Sequence, residues 1–261
     1  MNIKTIDIIK YSASNLNKTN DQIAVEEPLS IFVNNELFYT TMRLPGEEIP
    51  LSVGILYSEK ILSSFNDIEK IDYCTEVGNK ININLKNKID IKSSNIEKRF
   101  FTNTSCGICG QDVIENISSN IQNINITHQI NPEKLFDYVN LLNEAQELFN
   151  KTGTTHAAAI FDANHQMISF AEDVGRHNGL DKAIGKLILA NTKKDAKVII
   201  LSSRLSYEMV QKASNFGIEI LAGVSSATSL AIELARKVNL TLIGFLRKNK
   251  FNIYSQDKRI K

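Results

Sequence analysis

The chain has 261 residues, 43% apolar and 23% charged, with 30 Lys plus Arg against 29 Asp plus Glu for a net charge of +1. The length fits one large domain or two small ones, and the apolar fraction supports a packed core. Balanced charge excludes a basic nucleic-acid coat or an acidic tail as the main activity. No apolar run approaches the roughly 18 residues of a bilayer span, and Met1 to Tyr11 alternates apolar and polar residues without a signal-peptide core. A soluble, cytoplasmic protein with no membrane or nucleic-acid partner is expected.

The N-terminal part reads as strands with one helix. Leu29 to Val33 and Leu37 to Met42 flank Asn34-Asn35, whose tolerance of positive φ suits a tight hairpin. After Pro45-Gly46, apolar residues at helical spacing predict a helix from Leu51 to Leu62. Ile81, Ile83 and Leu85 alternate with polar residues as in a half-buried strand. Asn87 to Lys98 reads as a surface excursion, Thr102 to Gly110 as a mobile loop, and the stretch to His128 as a polar helix followed by a strand.

The C-terminal half is clearer. Asn131 caps a helix with Pro132 at its first position, an apolar stripe of Leu135, Val139, Leu142, Ala145 and Phe149, and Gly153 at its end. Ala157 to Phe161 and Met167 to Phe170 form a hairpin turning at Asn164. Helices at Leu180 to Ala190, through Met209, and at Ser229 to Val238 alternate with strands at Val198 to Leu201, Ile218 to Leu221 and Leu240 to Leu246. This alternation predicts a layered α/β domain with a partly parallel sheet.

In such a sheet, ligands gather outside the carboxyl ends of the strands. Three polar clusters fall there: Glu172 to Asn178, Ser202-Ser203-Arg204, and Gly223 to Ser226. Helix N-termini, serine hydroxyls and two arginines suit a phosphate-bearing, nucleotide-sized ligand. Single serines there also read as caps, and Asn178 with Asp181 as a capping-box-like pair. Glu172 and Asp173 either accept hydrogen bonds from a ligand or pair with Arg176 or Lys182. His156 and His177 are pocket candidates or packed polar residues. The tail from Arg247 through Lys248, Lys250, Lys258 and Arg259 to Lys261 is a solvated end or a phosphate contact.

Three cysteines, Cys74, Cys106 and Cys109, are too few for a disulfide scaffold. The Cys106/Cys109 pair admits a zinc site completed by Cys74 and His156, a thioredoxin-like dithiol, or a nucleophilic thiolate that carries sulfur as a persulfide. Its Gly-rich setting favours the last, with the second thiol assisting release by thiol exchange.

Cys106-Gly107-Ile108-Cys109-Gly110, Thr152 to Ala158 and Glu172-Asp173-Val174-Gly175-Arg176-His177-Asn178 together resemble the FdhD family of formate dehydrogenase accessory sulfurtransferases. Glu27-Pro28-Leu29, Met42-Arg43, Leu201 to Arg204 with Ser206 and Glu208, and Leu242 to Phe245 extend the likeness over about Glu27 to Tyr254. Thr154, Ala227 and Lys60 depart from the pattern, where the family has Gly, Pro and a nearby Gly; these changes bear on loop geometry more than on the chemical groups.

The resemblance implies a sulfurtransferase that takes persulfide sulfur from a cysteine desulfurase. It passes that sulfur to the bis-molybdopterin guanine dinucleotide molybdenum cofactor required by formate dehydrogenase. It further implies a homodimer whose C-terminal domain resembles the cytidine deaminase fold. The expected organisation is a strand-rich α+β lobe (1–101), a Cys-x-x-Cys loop and connector (102–130) and a C-terminal α/β domain (131–261). By position, Cys106 matches the persulfide-bearing cysteine and Cys109 its companion. Phe245, Leu246, Arg247, Lys248, Asn249 and Lys250 match the segment assigned to cofactor contact. Arg176, His177, Ser203 and Arg204 are expected to join them. Two rivals remain: a zinc-dependent deaminase, although Ala158 stands where its glutamate belongs, and a non-catalytic cofactor-shielding chaperone.

Overall fold

A computed structural model describes residues 2–12, 14–74, 79–87, 123–247 and 249–261. The expected mixed α/β architecture is present. Strands β3 (Glu27–Val33), β4 (Glu36–Arg43), β5 (Ile68–Cys74) and β6 (Lys80–Leu85) form one sheet in the order β4-β3-β6-β5. Strands β7 (His156–Asp162), β8 (Met167–Asp173), β9 (Ala196–Leu201), β10 (Ile220–Gly223), β11 (Thr241–Arg247) and β12 (Lys250–Ser255) form the other, ordered β12-β11-β10-β9-β7-β8. β1 (Ile3–Ser12) and β2 (Asn15–Ala24) make a separate two-stranded ribbon.

The predicted β3–β4 hairpin turns at Asn34 and Asn35, with φ of 51° and 69°; their side chains tolerate the left-handed region that a two-residue turn requires. In the larger sheet β9, β10 and β11 are parallel, whereas β7 runs antiparallel to both β8 and β9. The carboxyl ends of β8, β9, β10 and β11 and the first residue of β7 therefore share one edge.

Both faces of this sheet are covered, as period-two strands demand. Ala157, Ala159, Phe161, Val198, Ile200, Ile220, Ala222 and Ile243 pack against Leu135, Tyr138, Val139 and Leu142 of α2 (Pro132–Ala145). The alternate residues Ala158, Ile160, Ile199, Leu201, Leu221 and Leu242 face a second cluster. It contains α4 (Arg176–Leu189), α5 (Tyr207–Phe216), α6 (Ser229–Lys237), α1 (Glu48–Ser58) and the apolar face of the four-stranded sheet.

Helix α1 is buried on all sides from Leu51 to Ser58, and two glycines let it meet α4 backbone to backbone. A methyl group at Gly54 would lie 1.8 Å from the Asp181 carbonyl oxygen, and one at Gly185 would lie 1.9 Å from that of Pro50. Main-chain atoms cannot swing aside as side chains do. Gly54→Ala and Gly185→Ala are each expected to cost at least about 3 kcal/mol, read as a lowered urea midpoint; a loss below about 1 kcal/mol would show the helices can part freely.

Several boundaries move. α1 starts at Glu48 and stops at Ser58 because Lys60 takes a left-handed φ of 60°, although Ile61 and Leu62 remain buried. The helix expected to run to Phe149 breaks at Gln146 (φ −77°, ψ 63°), and a short α3 (Glu147–Thr152) follows. Phe149 consequently leaves the apolar stripe and is 44% exposed. α4 begins four residues before Leu180, so Asn178 and Asp181 lie inside it and form no capping box. β10 is shifted two residues from the predicted strand. Residues 123–129 form no strand; only Ile130 makes a bridge, to Ile260.

The basic tail needs the largest correction. β12 carries the chain back across the sheet, and Arg259 ends fully buried. It donates to Glu219 (3.3 Å), Thr241 Oγ1 (3.1 Å) and the Ile124 and Asn125 carbonyls (3.1 Å each). Glu219 precedes β10, at the opposite sheet edge, so Arg259 is a structural cation and no phosphate ligand.

Candidate functional site

The motif Glu172 to Asn178 occupies the end of β8 and the first turn of α4. Its two carboxylates serve the scaffold. Glu172 accepts from the Leu148 and Phe149 amides (3.1 and 3.0 Å), which start α3, and from the Thr155 hydroxyl (2.7 Å). Asp173 pairs with Lys182 at 2.7 Å, both side chains fully buried. It also accepts from the Leu44 amide (3.0 Å), the Gly175 amide (2.9 Å) and Asn178 Nδ2 (3.0 Å). Asn178 Nδ2 in turn donates to the Met42 carbonyl and Lys182 to that of Leu44. The motif thus clasps the end of β4 to α4: Asp173 pairs with Lys182 as one of the two readings expected, whereas the Glu172 carboxylate is held by the α3 amides and Thr155, neither by a ligand nor by a cation. Arg43, from the Met42-Arg43 match, is likewise internal, paired with Glu27 and Glu48 at 3.0 Å each.

With both acids turned inward, the edge keeps its cations. Among the described residues, no carboxylate lies within 4.0 Å of Arg176, Arg204 or Arg247. Arg176 and His177 form the first turn of α4, and Arg204 follows β9, exposed. His156, the first residue of β7, stands between those strands; burial, then Arg176 and Arg204, lowers its pKa. Burial and Arg176 push His177 down to about 4 from 6.5. A histidine neutral in the fold but protonated when unfolded disfavours the native state as pH falls. Between pH 6.5 and about 4 His177 should remove up to roughly 3 kcal/mol. His177→Gln should flatten that part of the stability profile, and an unchanged profile would refute it.

Ser203 is buried and donates to the Arg204 carbonyl at 3.2 Å, while Ser202 accepts from the Ala157 amide at 2.7 Å. Neither hydroxyl caps a helix. At the third cluster, the Ser225 carbonyl accepts from the Phe245 amide at 3.0 Å, and the Ser226 hydroxyl contacts that of Tyr254 at 3.3 Å. Phe245 has a φ of 54°, unusual for an aromatic residue. The Arg247 guanidinium lies 5.6 Å from its ring centroid, a cation–π pair presented at the edge. Leu246 points the other way, fully buried in the α2 core, so it can meet a ligand through its backbone only. Asn249, with a φ of 61°, and Lys250 open the turn into β12. Cys106, Cys109 and Lys248 lie outside the described residues, as does the predicted loop.

Sequence reasoning counted Ser206 only as part of the family likeness and passed over Tyr207, both around the start of α5. Their hydroxyls, Arg176 Nε and His177 Nε2 are buried atoms without hydrogen-bond partners among the described residues. The signal was present: a serine at an N-cap position beside an arginine-bearing strand end. It was indistinguishable from an ordinary cap until the structure showed that it caps no amide of α5 and faces the Glu208 carboxylate, whose pKa it lowers against the effect of burial. None of the described helices is long and apolar enough to cross a membrane.

Comparison with known proteins places this geometry. The chain is 39% identical to the "Sulfur carrier protein FdhD" of Sulfolobus acidocaldarius, covering 100% of this chain and 99% of that one. It is 37% identical to the protein of the same name from Saccharolobus solfataricus, over 99% and 98%. The fold is shared with the crystal structure of a candidate formate dehydrogenase accessory protein from Desulfotalea psychrophila, at a TM-score of 0.81, 18% identity and full coverage of both chains. Residues 24–261 match the model of the FdhD/NarQ family, and the chain belongs to that family.

Proposed function

We propose that this protein is a sulfurtransferase serving formate dehydrogenase, with Cys106 as the carrier. The Cys106 thiolate attacks the outer sulfur of a persulfide on a cysteine desulfurase; the desulfurase cysteine leaves as a thiolate, and Cys106 becomes the persulfide. Cys109 then attacks the inner sulfur of the Cys106 persulfide, a Cys106–Cys109 disulfide forms, and the outer sulfur leaves at the sulfide level to the acceptor, the bis-molybdopterin guanine dinucleotide molybdenum cofactor. The observation that carries the acceptor reading is the edge bearing Arg176, Arg204 and Arg247 with no carboxylate within ion-pairing distance among the described residues. Guanidinium groups beside helix N-termini suit a ligand bearing several phosphoryl oxygens, with Glu208 of α5 the carboxylate whose field reaches Arg176. Phe245 with Arg247 offers a stacking platform for a planar base, and Lys248, Asn249 and Lys250 follow it in the sequence.

The names of the relatives support the sulfur-carrying role. The order hairpin, helix, strand, helix supports the likeness of the C-terminal part to the cytidine deaminase fold. A homodimer acting in the cytoplasm completes the reading. Mass spectrometry of the full chain after incubation with a cysteine desulfurase and cysteine tests it. One added sulfur, mapped to the Cys106 peptide and removed by a thiol reductant, is expected. Sulfur that loads elsewhere, or not at all, refutes it.

A further inference from the structure

Strands β1 and β2, ten residues each, stand apart from both sheets as a two-stranded ribbon. The ribbon lies ahead of the stretch that matches the family model, residues 24–261, and shares only Ala24 with it. Two strands alone are at best marginally stable in water without a third strand or a packed face. Here α3 lies beside β2, and among the described residues no strand joins β1 on its other side. The register pairs Tyr11 with Leu16 and Ile9 with Lys18, so Ile9, Tyr11 and Leu16 share one face. They are 70%, 72% and 66% exposed for Tyr11, Leu16 and Ile9, the largest values among the large apolar side chains of the described residues. An open strand edge beside an apolar face is a template for pairing with another chain.

We infer that β1 pairs antiparallel with β1 of a second copy of this chain, about a two-fold axis at Ile6, joining the two ribbons into one four-stranded sheet. This rests on the homodimer reading and names the surface that makes the dimer. A two-fold axis perpendicular to a sheet keeps like faces together, so the pairing must be centred on a residue. Centred on Ile6, the chain places Ile6 opposite the partner's Ile6, Ile3 opposite the partner's Ile9, and Asp7 opposite the partner's Thr5. Lys4 meets the partner's Ile8 and Lys10 the partner's Asn2, so no charge directly faces a like charge. One residue later, Asp7 would face the partner's Asp7 and Lys4 the partner's Lys10, contacts that opposed strands disfavour. One residue earlier, Ile3 would face the partner's Asp7; two later, Ile6 would face the partner's Lys10. The Ile6 register also sets the partner's Ile3 and Ala24 beside Ile9, extending the apolar face of Ile9, Tyr11 and Leu16. The paired edge, residues 2 to 10, is about 30 Å long and, with side chains on both faces, roughly 15 Å tall. Each copy contributes about 450 Å², close to the total of about 1,000 Å² that a specific interface needs. The self-complementary order of isoleucines and charges selects a second copy as the occupant.

Disulfide trapping in the full chain tests this, with Cys74→Ser, Cys106→Ser and Cys109→Ser as background and oxidised glutathione as the oxidant. Ile6→Cys puts a thiol opposite its own copy, within the Cα separation of about 4.4–6.8 Å that a disulfide spans. It should link at least about tenfold faster than Asp7→Cys, whose two copies stand diagonally at roughly 7–8 Å. Mixing Thr5→Cys chains with Asp7→Cys chains should restore fast linking. In sedimentation, Ile9→Asp, at an exposed position, should weaken self-association of the otherwise wild-type chain at least about tenfold. Linking that ignores position, or Ile9→Asp dimers as tight as those of the wild type, would overturn the inference and leave a homodimer built on another surface. A wild-type chain that stays monomeric at about 100 μM would overturn the homodimer reading with it. Sulfur loading on Cys106 is read separately by mass, so the carrier reading stands or falls on its own.

Discussion

A strain carrying Cys106→Ala is expected to produce formate dehydrogenase polypeptide in normal amount with at least about 100-fold less activity. The reason is chemical. Transfer by exchange needs a thiolate to break the sulfur–sulfur bond of the donor, and a methyl group cannot do so. Alanine removes the nucleophile while keeping the backbone and Cβ, and the amount of the variant protein itself controls for folding. Cys109→Ala separates two roles for the companion thiol. If Cys109 assists only release, Cys106 still loads one sulfur but passes it on slowly; if Cys109 is dispensable, maturation stays near normal. Enzyme activity per polypeptide, with the sulfur content of Cys106, is the measurement. Full maturation in both alanine strains would eliminate the carrier mechanism and favour a protein that merely shelters the cofactor.

The second large effect lies in the scaffold. Asp173→Ala is expected to cost about 3–5 kcal/mol, the usual penalty for leaving one member of a buried ion pair alone. Lys182 would keep only the Leu44 carbonyl at 3.0 Å and that of Glu172 at 3.4 Å. The Leu44 and Gly175 amides and Asn178 would lose their acceptor as well. Asp173→Asn should fall between the wild type and alanine, because it keeps acceptor capacity without the charge. Removing both charges with Asp173→Ala and Lys182→Met should recover part of the loss, since an apolar pair avoids desolvation. Urea unfolding measures all three. A loss below about 1 kcal/mol for Asp173→Ala would mean that the clasp between β4 and α4 is dispensable, and that the acid serves something other than the fold.

This second result shows why a distinctive motif is easily misassigned. Glu172-Asp173-Val174-Gly175-Arg176-His177-Asn178 identifies the family, yet the seven residues divide between two tasks. Glu172, Asp173 and Asn178 bind backbone amides and carbonyls from α3 and from the chain after β4. Arg176 and His177 alone keep unused atoms. Nothing in the local sequence distinguishes an acid that faces a ligand from one that faces the scaffold, because partners such as Leu148 for Glu172 and Leu44 for Asp173 are 24 and 129 residues away.

Composition alone set a balanced charge of +1 and three cysteines, and the sequence determined more than that. Period-two and helical spacing located the β3–β4 and β7–β8 hairpins, the parallel strands and the cap at Asn131, because these depend on near neighbours and on backbone preference, but not β1, β2, β5 or β12. Tertiary structure alone decided how the charge is distributed. It buried Arg259 against Glu219 and Lys182 against Asp173, and it left Arg176, Arg204 and Arg247 without ion pairs among the described residues. The physical reason is that a charge is neutralised only by groups within a few ångströms. Those distances are set by the packing of α1, α4 and the sheet, not by position along the chain. A net +1 is thus a sum over cations satisfied inside the fold and cations held open at one sheet edge.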